Sequence, residues 1–441
     1  MSDYMFILES HLSPEQSAVL TAVQAAAAEA NLSLFLTGGA MRDMLGGFPI
    51  RDLDFTVEGP AAKLAKDVAK RNNAQILATD EHRKTAELQF PNGVMCEIAM
   101  ARQEKYGKPG ARPQVSPATI HEDLRGRDFT INAIALSLNR ASRGLMVDPT
   151  NGASDLERKE LRAISNYSLY DDPIRILRLI RFKARMGFEV HERTMQQFHN
   201  AREAGMEKYI PARALFTELR HLALEPSPSE VLKALEEYKL LQLFSPGLTG
   251  AKLNPGAFAK LAKAKAMIPF GAPFSVDWYA LNMFCLTQLL TPKEKAALLE
   301  NTKMSKEEAD PWQKLEGRIK KLEALLKSAK LSKASQTFDA LKKVPGEEIL
   351  LLFLKSTERI VQDRLKNYFT KYLPTAMEVT DEEVTEASGL APDQPKFAKA
   401  RDERIAARLD GRVRKPAPPP EPEPPPPPPP GRGMLGRGRF R

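Results

Sequence analysis

Apolar and polar residues recur with two different periods along this chain, and the change of period divides it. After Ser13-Pro14, apolar positions fall three or four apart to about Ala30. Ser13 supplies an N-cap hydroxyl, Pro14 suits the first helical position and Gln16 stands three residues on, so the spacing predicts a capped, alanine-rich helix. The period then shortens to two. Residues 32–37 (LSLFLT) and 53–57 (LDFTV) read as strands, 38–45 (GGAMRDML) as a glycine turn entering a short helix, and 60–72 as a helix. ILATD, TAELQF and GVMCEIAMA read as further strands. Strands mixed with helices predict an α/β or α+β head over residues 1–150.

From Asp155 onward the period is helical, as in ILRLIRFKARMGF, ALFTELRHLAL, EVLKALEEYKLLQLF and KLEALLKSA. Breaks at Pro226 to Pro228, Pro246 to Pro255 and Pro269 to Pro273 divide this part. The pattern predicts a helical neck over 151–225 and a helical body over 226–380. Residues 381–441 hold a helical remnant and then PAPPPEPEPPPPPPP (416–430) and GRGMLGRGRFR (431–441). Such composition cannot pack a core and predicts disorder. It reads either as a solubilising tail or as a weak RNA-capturing one, with Phe440 able to stack.

Composition sharpens the picture only modestly. A hydrophobic content of 42% over 441 residues fills two to four cores, and a net charge of +9 favours an anionic partner without requiring nucleic acid. Cys96 and Cys285 stand far apart, which suggests neither a disulfide framework nor a zinc site and suits a reducing cytoplasm. The histidines (11, 82, 121, 191, 199 and 221) form no HExxH motif or His-Asp doublet, so each reads as an ordinary surface or core residue. No basic flank with an apolar core opens the chain, and no run reaches the ~18 apolar residues of a membrane span; a soluble, unexported, membrane-free protein is expected.

The candidate chemistry lies in the head. Asp52 and Asp54 sit two apart in a predicted strand, which puts both carboxylates on one face where they can share divalent cations. Surface strands also carry alternating acids, so context decides. Upstream, Gly38-Gly39 and Arg42 occupy a strand-to-helix junction whose amides and dipole favour an anion, although no GxxxxGK[ST] is present. Phosphate beside metal is then the expected pairing. Two Mg²⁺ ions at such a site would support in-line displacement of pyrophosphate by an RNA 3′-hydroxyl without a covalent enzyme intermediate.

Four ordered blocks carry a family resemblance. TGGAMRDMLGGFPIRDLDFTV (37–57) resembles the first motif of class II tRNA nucleotidyltransferases and bacterial poly(A) polymerases, a branch of the polymerase β-like superfamily. EDLRGRDFTINAIAL (122–136) resembles their RRDFTINA motif, DPTNGASDLERKELRAI (148–164) their head-to-neck connector, and DDPIRILRLIRFKARMGF (171–188) their DDPxRxLRxxRFxAxxGF helix. The resemblance implies an α+β protein: a polymerase β-like head with a mixed sheet, then an all-helical neck and an RNA-binding helical body.

It also implies roles. Asp52 and Asp54 would be catalytic metal ligands, with Glu97 at the place of a third carboxylate. Gly38, Gly39 and Arg42 would meet the nucleotide, as would Arg127, while Asp128 and Asn132 would position the ribose. Asp172 and Arg175 would act as a protein template, Asp accepting from the exocyclic amine of cytosine or adenine and Arg donating to their ring acceptors. Arg178 and Arg181 would reach the triphosphate. The row 172, 175, 178, 181 advances by three, so on a helix it spirals slowly and can line one cleft, while Ile176, Leu177, Leu179, Ile180 and Phe182 supply the buried side.

The chain also departs from the family pattern. Gly126 stands where RRD has its first arginine, and Arg125 is the neighbour that could replace it. Ala214 stands four residues before Glu218 where an arginine is usual, with Arg213 displaced by one, which leaves the partner of Glu218 open. ATDEHRKTAELQF (78–90) replaces the GRRFRxxH-like stretch of the poly(A) polymerases. The expected function is therefore Mg²⁺-dependent addition of CCA, or part of it, to tRNA from CTP and ATP. CC-only, A-only and poly(A) addition remain alternatives, and a non-catalytic RNA-binding protein on the same scaffold is a remote one.

Overall fold

The protein is described by a computed structural model over residues 4–412. The described residues form two compact units, one comprising those up to Lys265 with Ser275–Lys321 and Pro345–Leu354, the other Ala266–Phe274, Leu322–Val344 and the described residues from Lys355 onward. The proline-rich and basic segments, with Phe440, lie outside the described residues.

In the first unit α1 (Tyr4–His11) and α2 (Pro14–Glu29) precede the strands. The expected capping box closes α2: Ser13 N–H donates to Gln16 Oε1 at 3.0 Å, and Gln16 N–H donates to Ser13 Oγ at 3.2 Å. Next come β1 (Ser33–Thr37), α3 (Gly38–Leu45), β2 (Leu53–Glu58), α4 (Ala61–Asn72), β3 (Gln75–Asp80), β4 (Thr85–Gln89) and β5 (Met95–Met100). The short strands β6 (Arg102–Lys105) and β7 (Gln114–Pro117) pair antiparallel by themselves. After α5 (Ile120–Arg125) come β8 (Ala135–Ser137) and β9 (Met146–Val147). The main sheet is mixed, in the order β3-β4-β5-β2-β1-β8-β9.

Within that sheet β2 and β5 are the parallel pair and the other named pairs are antiparallel. A parallel pair needs a crossover, and here α4 with the β3-β4 hairpin provides it. Leu64, Ala65, Val68 and Ala69 form the buried face of α4, which packs on β4 and β5.

The chain then becomes helical as its period predicts, through α6 (Gly152–Glu157), α7 (Ser168–Asp171), α8 (Arg175–Met186), α9 (Glu192–Glu203) and α10 (Ala212–Ala223). Gly187, at φ +66°, ends α8 in the left-handed conformation. One difference from the periodic reading is a two-stranded parallel pair, β10 (Glu160–Leu161) with β11 (Glu189–Val190), which ties the connector block to the chain leaving α8. Two residues are too few to show alternation. The buried side of α8 is Ile176, Leu177, Leu179, Ile180 and Phe182, and Phe182 meets Phe129 of the second sequence block edge to face at 5.8 Å. An α+β head with a mixed sheet, followed by helices, is thus what the chain builds. Among the described residues no helix is long and apolar enough to cross a membrane.

The second unit is helical, with helices at Ala334–Leu341, Arg359–Asn367, Asp381–Ser388 and Phe397–Leu409. Phe274, Phe338, Tyr368 and Phe369 form an aromatic cluster within it, with Phe274 and Phe369 at 5.4 Å. Buried Glu383 accepts from Arg404 at 2.6 Å and from Arg408.

Candidate active site

A cleft of about 530 Å³ in the first unit is lined by Gly38, Gly39, Arg42, Asp52, Asp54, Glu97, Arg127, Asp128, Asn132, Asp172, Arg175, Arg178 and Arg181. Residues from three of the four sequence blocks, with Glu97 of β5, therefore converge on one cavity. Its size falls within the ~300–1,000 Å³ usual for small-molecule sites.

The glycine turn is shaped by what lies across it. Gly38 has φ +62°, and a Cβ there would stand 3.0 Å from an Arg127 guanidinium nitrogen and 3.3 Å from Asp54 Oδ2. The Gly39 N–H, first seen as a donor for a phosphate, donates to Asp54 Oδ2 at 3.0 Å. The anion at this helix start is thus the protein's own.

Asp52 lies just before β2 and is exposed, Asp54 is half-buried within the strand, and the parallel register sets Glu97 of β5 directly beside Asp54. Burial, with Asp52 nearby, pushes the Asp54 carboxyl up to about 6, and burial with Asp54 nearby pushes Glu97 up to about 7. Asp52, though its side chain reaches solvent, is raised as well, chiefly by the desolvation that the cleft walls around it impose. These carboxylates lack full compensation. Among the described residues no three His, Cys, Asp or Glu side chains gather closely enough to hold a metal by themselves, so Asp52, Asp54 and Glu97 are not a closed three-ligand cage.

The second block is tied to α8. Asp128 Oδ2 accepts from Arg178 Nε at 2.9 Å and from a terminal nitrogen of Arg178 at 2.6 Å, while Oδ1 accepts from Asn132 Nδ2 at 2.9 Å and the Phe129 N–H at 2.8 Å. Burial would raise the Asp128 carboxyl, but Arg178 and Arg175 hold it far below the usual carboxylate range. Both oxygens are engaged within the protein. Asn132 Oδ1 accepts from Arg42 at 2.8 Å, Arg42 Nε donates to Asp43 at 2.9 Å, and Arg185 of α8 donates to both oxygens of Asp43 at 3.1 and 2.9 Å.

Arg175 donates to Ser168 Oγ at 2.8 Å and to the Gly126 carbonyl at 3.1 Å, and its Nε lies 3.8 Å from Asp172. The position of the missing arginine thus serves through its backbone. Arg125 is exposed and outside the cleft lining, so the structure does not place it as a substitute.

Arg181 corrects the sequence reading. Its side chain is 4% exposed, and it donates to Glu218 at 2.6 Å and to Glu225 at 2.7 Å, so it is a buried clamp from α8 to α10 rather than a free triphosphate ligand. The open question of a partner for Glu218 is answered by the same bond. Arg213 pairs instead with Glu308 at 2.8 Å.

Sequence reasoning missed Glu225, whose buried Oε2 has no hydrogen bond and lies 3.7 Å from Arg185 and 3.8 Å from Arg51. It also missed Arg83, Glu104 and Tyr106. Glu104 accepts from Arg102 at 2.8 Å and from the Tyr106 hydroxyl at 2.7 Å, and it pairs with Arg83 at 3.2 Å beside Asp172. Asp43 sits inside a quoted motif, but neither its spacing nor its residue type reveals a partner 142 positions away.

Residues 34–162 match the family model described as the poly A polymerase head domain. The chain is 31% identical over 344 residues to an A-adding tRNA nucleotidyltransferase of Aquifex aeolicus (strain VF5), covering 77% of this chain and 40% of that one. It is 32% identical over 237 residues to a CC-adding tRNA nucleotidyltransferase of Deinococcus radiodurans, covering 51% and 62%. The match thus spans less than two thirds of either relative's length. A solved tRNA-processing enzyme in an apo form is similar over 90% of this chain and 99% of its own, with a TM-score of 0.51 and 26% identity.

Two substitutions should move stability in opposite directions. Arg181→Ala strands Glu218 in the interior and leaves Glu225 only its longer contacts to Arg185 and Arg51, and it should cost about 3–5 kcal/mol, read as a lower denaturant midpoint. Asp54→Asn should stabilise. A carboxyl raised in the folded state adds stability below its unfolded value near pH 4, and that contribution is lost as pH rises towards about 6. In chelator, Asp54→Asn should therefore gain on the order of 1–2 kcal/mol over the wild type above pH 6 and little at pH 4. A stability difference independent of pH would overturn the reading of Asp54 as uncompensated.

Proposed function

Because the chain belongs to the family of class II tRNA nucleotidyltransferases and bacterial poly(A) polymerases, we propose that it adds CCA, or part of it, to tRNA 3′ ends from CTP and ATP. Pyrophosphate would be released, and a cytoplasmic location suits the substrate. The observation that carries this reading is the facing arrangement in one cleft: Asp52, Asp54 and Glu97 stand on the sheet beside the Gly38-Gly39 turn, and Asp172 and Arg175 stand at the start of α8.

The donor set fits Mg²⁺, which takes one or two carboxylates and completes its shell with water and substrate phosphates rather than demanding a protein cage. Carboxyls raised to about 6 and 7 also point to a missing positive charge. Asp52 and Asp54 would hold the metal, with Glu97 behind Asp54. Bound there, Mg²⁺ would lower the pKa of the RNA 3′-hydroxyl and neutralise the triphosphate.

The chain's own residues would orient the reactants. Arg127, pinned by Asp123 at 2.9 Å and Thr56 at 3.1 Å, stands over the glycine turn at the nucleotide. Asp172 would accept from the exocyclic amine of C or A, and Arg175, its fork oriented by Ser168 and the Gly126 carbonyl, would donate to the ring. Uracil and guanine present the reverse pattern. Arg178 uses Nε and one terminal nitrogen on Asp128, which leaves its other amino group for phosphate. Asp128 and Asn132 would bear on the ribose only through this fixed scaffold. A second reading, addition of the terminal A alone, draws support from the likeness to the A-adding relative. Incubating tRNA ending at the discriminator base, at C or at CC with each NTP separately, and sizing the products, separates the two.

Asp52→Ala and Asp54→Ala should each reduce addition to below ~1% while leaving tRNA affinity within about twofold, since the carboxylates meet metal rather than RNA. Full turnover by either variant in Mg²⁺ would reject the metal assignment. Asp172→Ala and Arg175→Ala should relax selection against UTP and GTP by about 1–3 kcal/mol, whereas Arg178→Ala should lower use of all four nucleotides alike. Measured incorporation ratios that stay unchanged in the first pair would reject the protein template.

A further inference from the structure

The reaction proposed above needs two nucleotides in one cleft, the incoming triphosphate and the RNA terminus, and its residues account for only the first. One wall is left over. It is the face of α10 that carries Ala214, Thr217, Glu218 and His221, the last three standing three, four and seven positions beyond the first, and all lining the cleft. The opposite face of that helix, Leu215, Phe216, Leu219 and Leu222, is buried. Glu218 is consumed by Arg181, while Thr217 and His221 are exposed to the cavity.

His221 is unusual among the lining residues. Of the aromatic rings there, Phe55 and Phe182 are buried, and Phe182 is further enclosed by the guanidiniums of Arg42, Arg178 and Arg181 at 5.1, 5.5 and 4.7 Å. His221 is the one whose ring is open to the cleft. No hydrogen bond from its side chain to another described residue fixes it. Desolvation deep in the cavity, with Arg181 close by, lowers its pKa to about 3, so the ring is uncharged at neutral pH. A neutral imidazole offers a flat stacking face and an unprotonated nitrogen, and it does not compete with the surrounding arginines for phosphate. Single-stranded RNA ends are held by stacking of this kind, with the 2′-hydroxyl as a second handle.

We propose that His221 binds the RNA primer by stacking on the base of its 3′-terminal nucleotide, on the α10 wall of the cleft. This rests on the reading of the cleft as a nucleotidyltransferase site. The ring sets where the 3′-hydroxyl lies relative to Asp52 and Asp54, and it reads no base identity, since every base has a π-face.

The test is steady-state addition by the full-length protein with Mg²⁺, using a tRNA transcript ending at CC with ATP and one ending at the discriminator base with CTP. Whichever transcript the wild type extends is the working substrate, and failure to extend either rejects the functional reading itself rather than this inference. His221→Ala should raise KM for the transcript about tenfold and leave KM for the nucleotide within twofold. His221→Phe, which keeps a ring, should restore most of the transcript KM. Thermal denaturation should show both variants folded like the wild type. An unchanged transcript KM in His221→Ala, equal rises in both KM values, or a His221→Phe variant as impaired as His221→Ala would each overturn the assignment.

Discussion

A relay of charge-assisted hydrogen bonds is the constraint on which the cleft depends. It runs from Arg178 through Asp128, Asn132, Arg42 and Asp43 to Arg185, and Arg185 and Arg181 both approach Glu225. Its members come from α3, the second sequence block, α8 and the end of α10, so the sheet and the helix facing it are held in one geometry. Buried ion pairs contribute little net stability over apolar packing, because desolvation offsets most of the Coulombic gain. What they impose is directional. Each guanidinium fork accepts few orientations of its carboxylate, and a helix held by three of them can neither rotate nor slide without stranding a charge.

The carboxylates of the sheet follow the opposite rule. Asp128, Glu218 and Glu225 each pair directly with a guanidinium, whereas the Asp54 carboxylate receives a single backbone N–H, has Arg127 and Arg42 only at longer range, and stands near Asp52 and Glu97. The protein therefore spends its arginines on position and leaves uncompensated negative charge where a cation would act. That division explains why Asp128 and Glu218 are held low while Asp54 and Glu97 are pushed up within one cavity. The Phe182 ring stands among the positioning arginines, with the guanidiniums of Arg42, Arg178 and Arg181 around it.

Much of this was legible from the chain, for local reasons. The capping box before α2, the strand period of β1 to β5 and the glycine turn depend on residues within a few positions of one another, and they appear where the pattern puts them. The convergence of Asp52, Asp54, Asp172 and Arg175 on one cavity was legible through motif order rather than through physics. The fate of Arg181 was not. A row of arginines every third residue tells which way a helix face points, but not that Glu218 and Glu225, 37 and 44 positions on, fold back to meet one of them. The two-residue strands β10 and β11 and the open ring of His221 were hidden for the same reason: each is defined by partners or space supplied from elsewhere in the fold.

The parallel pairing of β2 with β5 has a consequence for how sequences of this kind can vary in length. Because the strands run the same way, Asp54 and Glu97 are counted from the same end of the sheet, and their meeting depends on a register fixed over five paired positions. Adding or deleting one residue inside either strand would turn every side chain beyond it to the other face and separate the two acids. The turn between β3 and β4, by contrast, lies at the sheet's margin in residues 81–84, and its length enters neither count. Arg83 rides on that turn. The rim that carries Arg83 can thus be lengthened, shortened or recharged while the spacing of the acids stays where the inner strands set it.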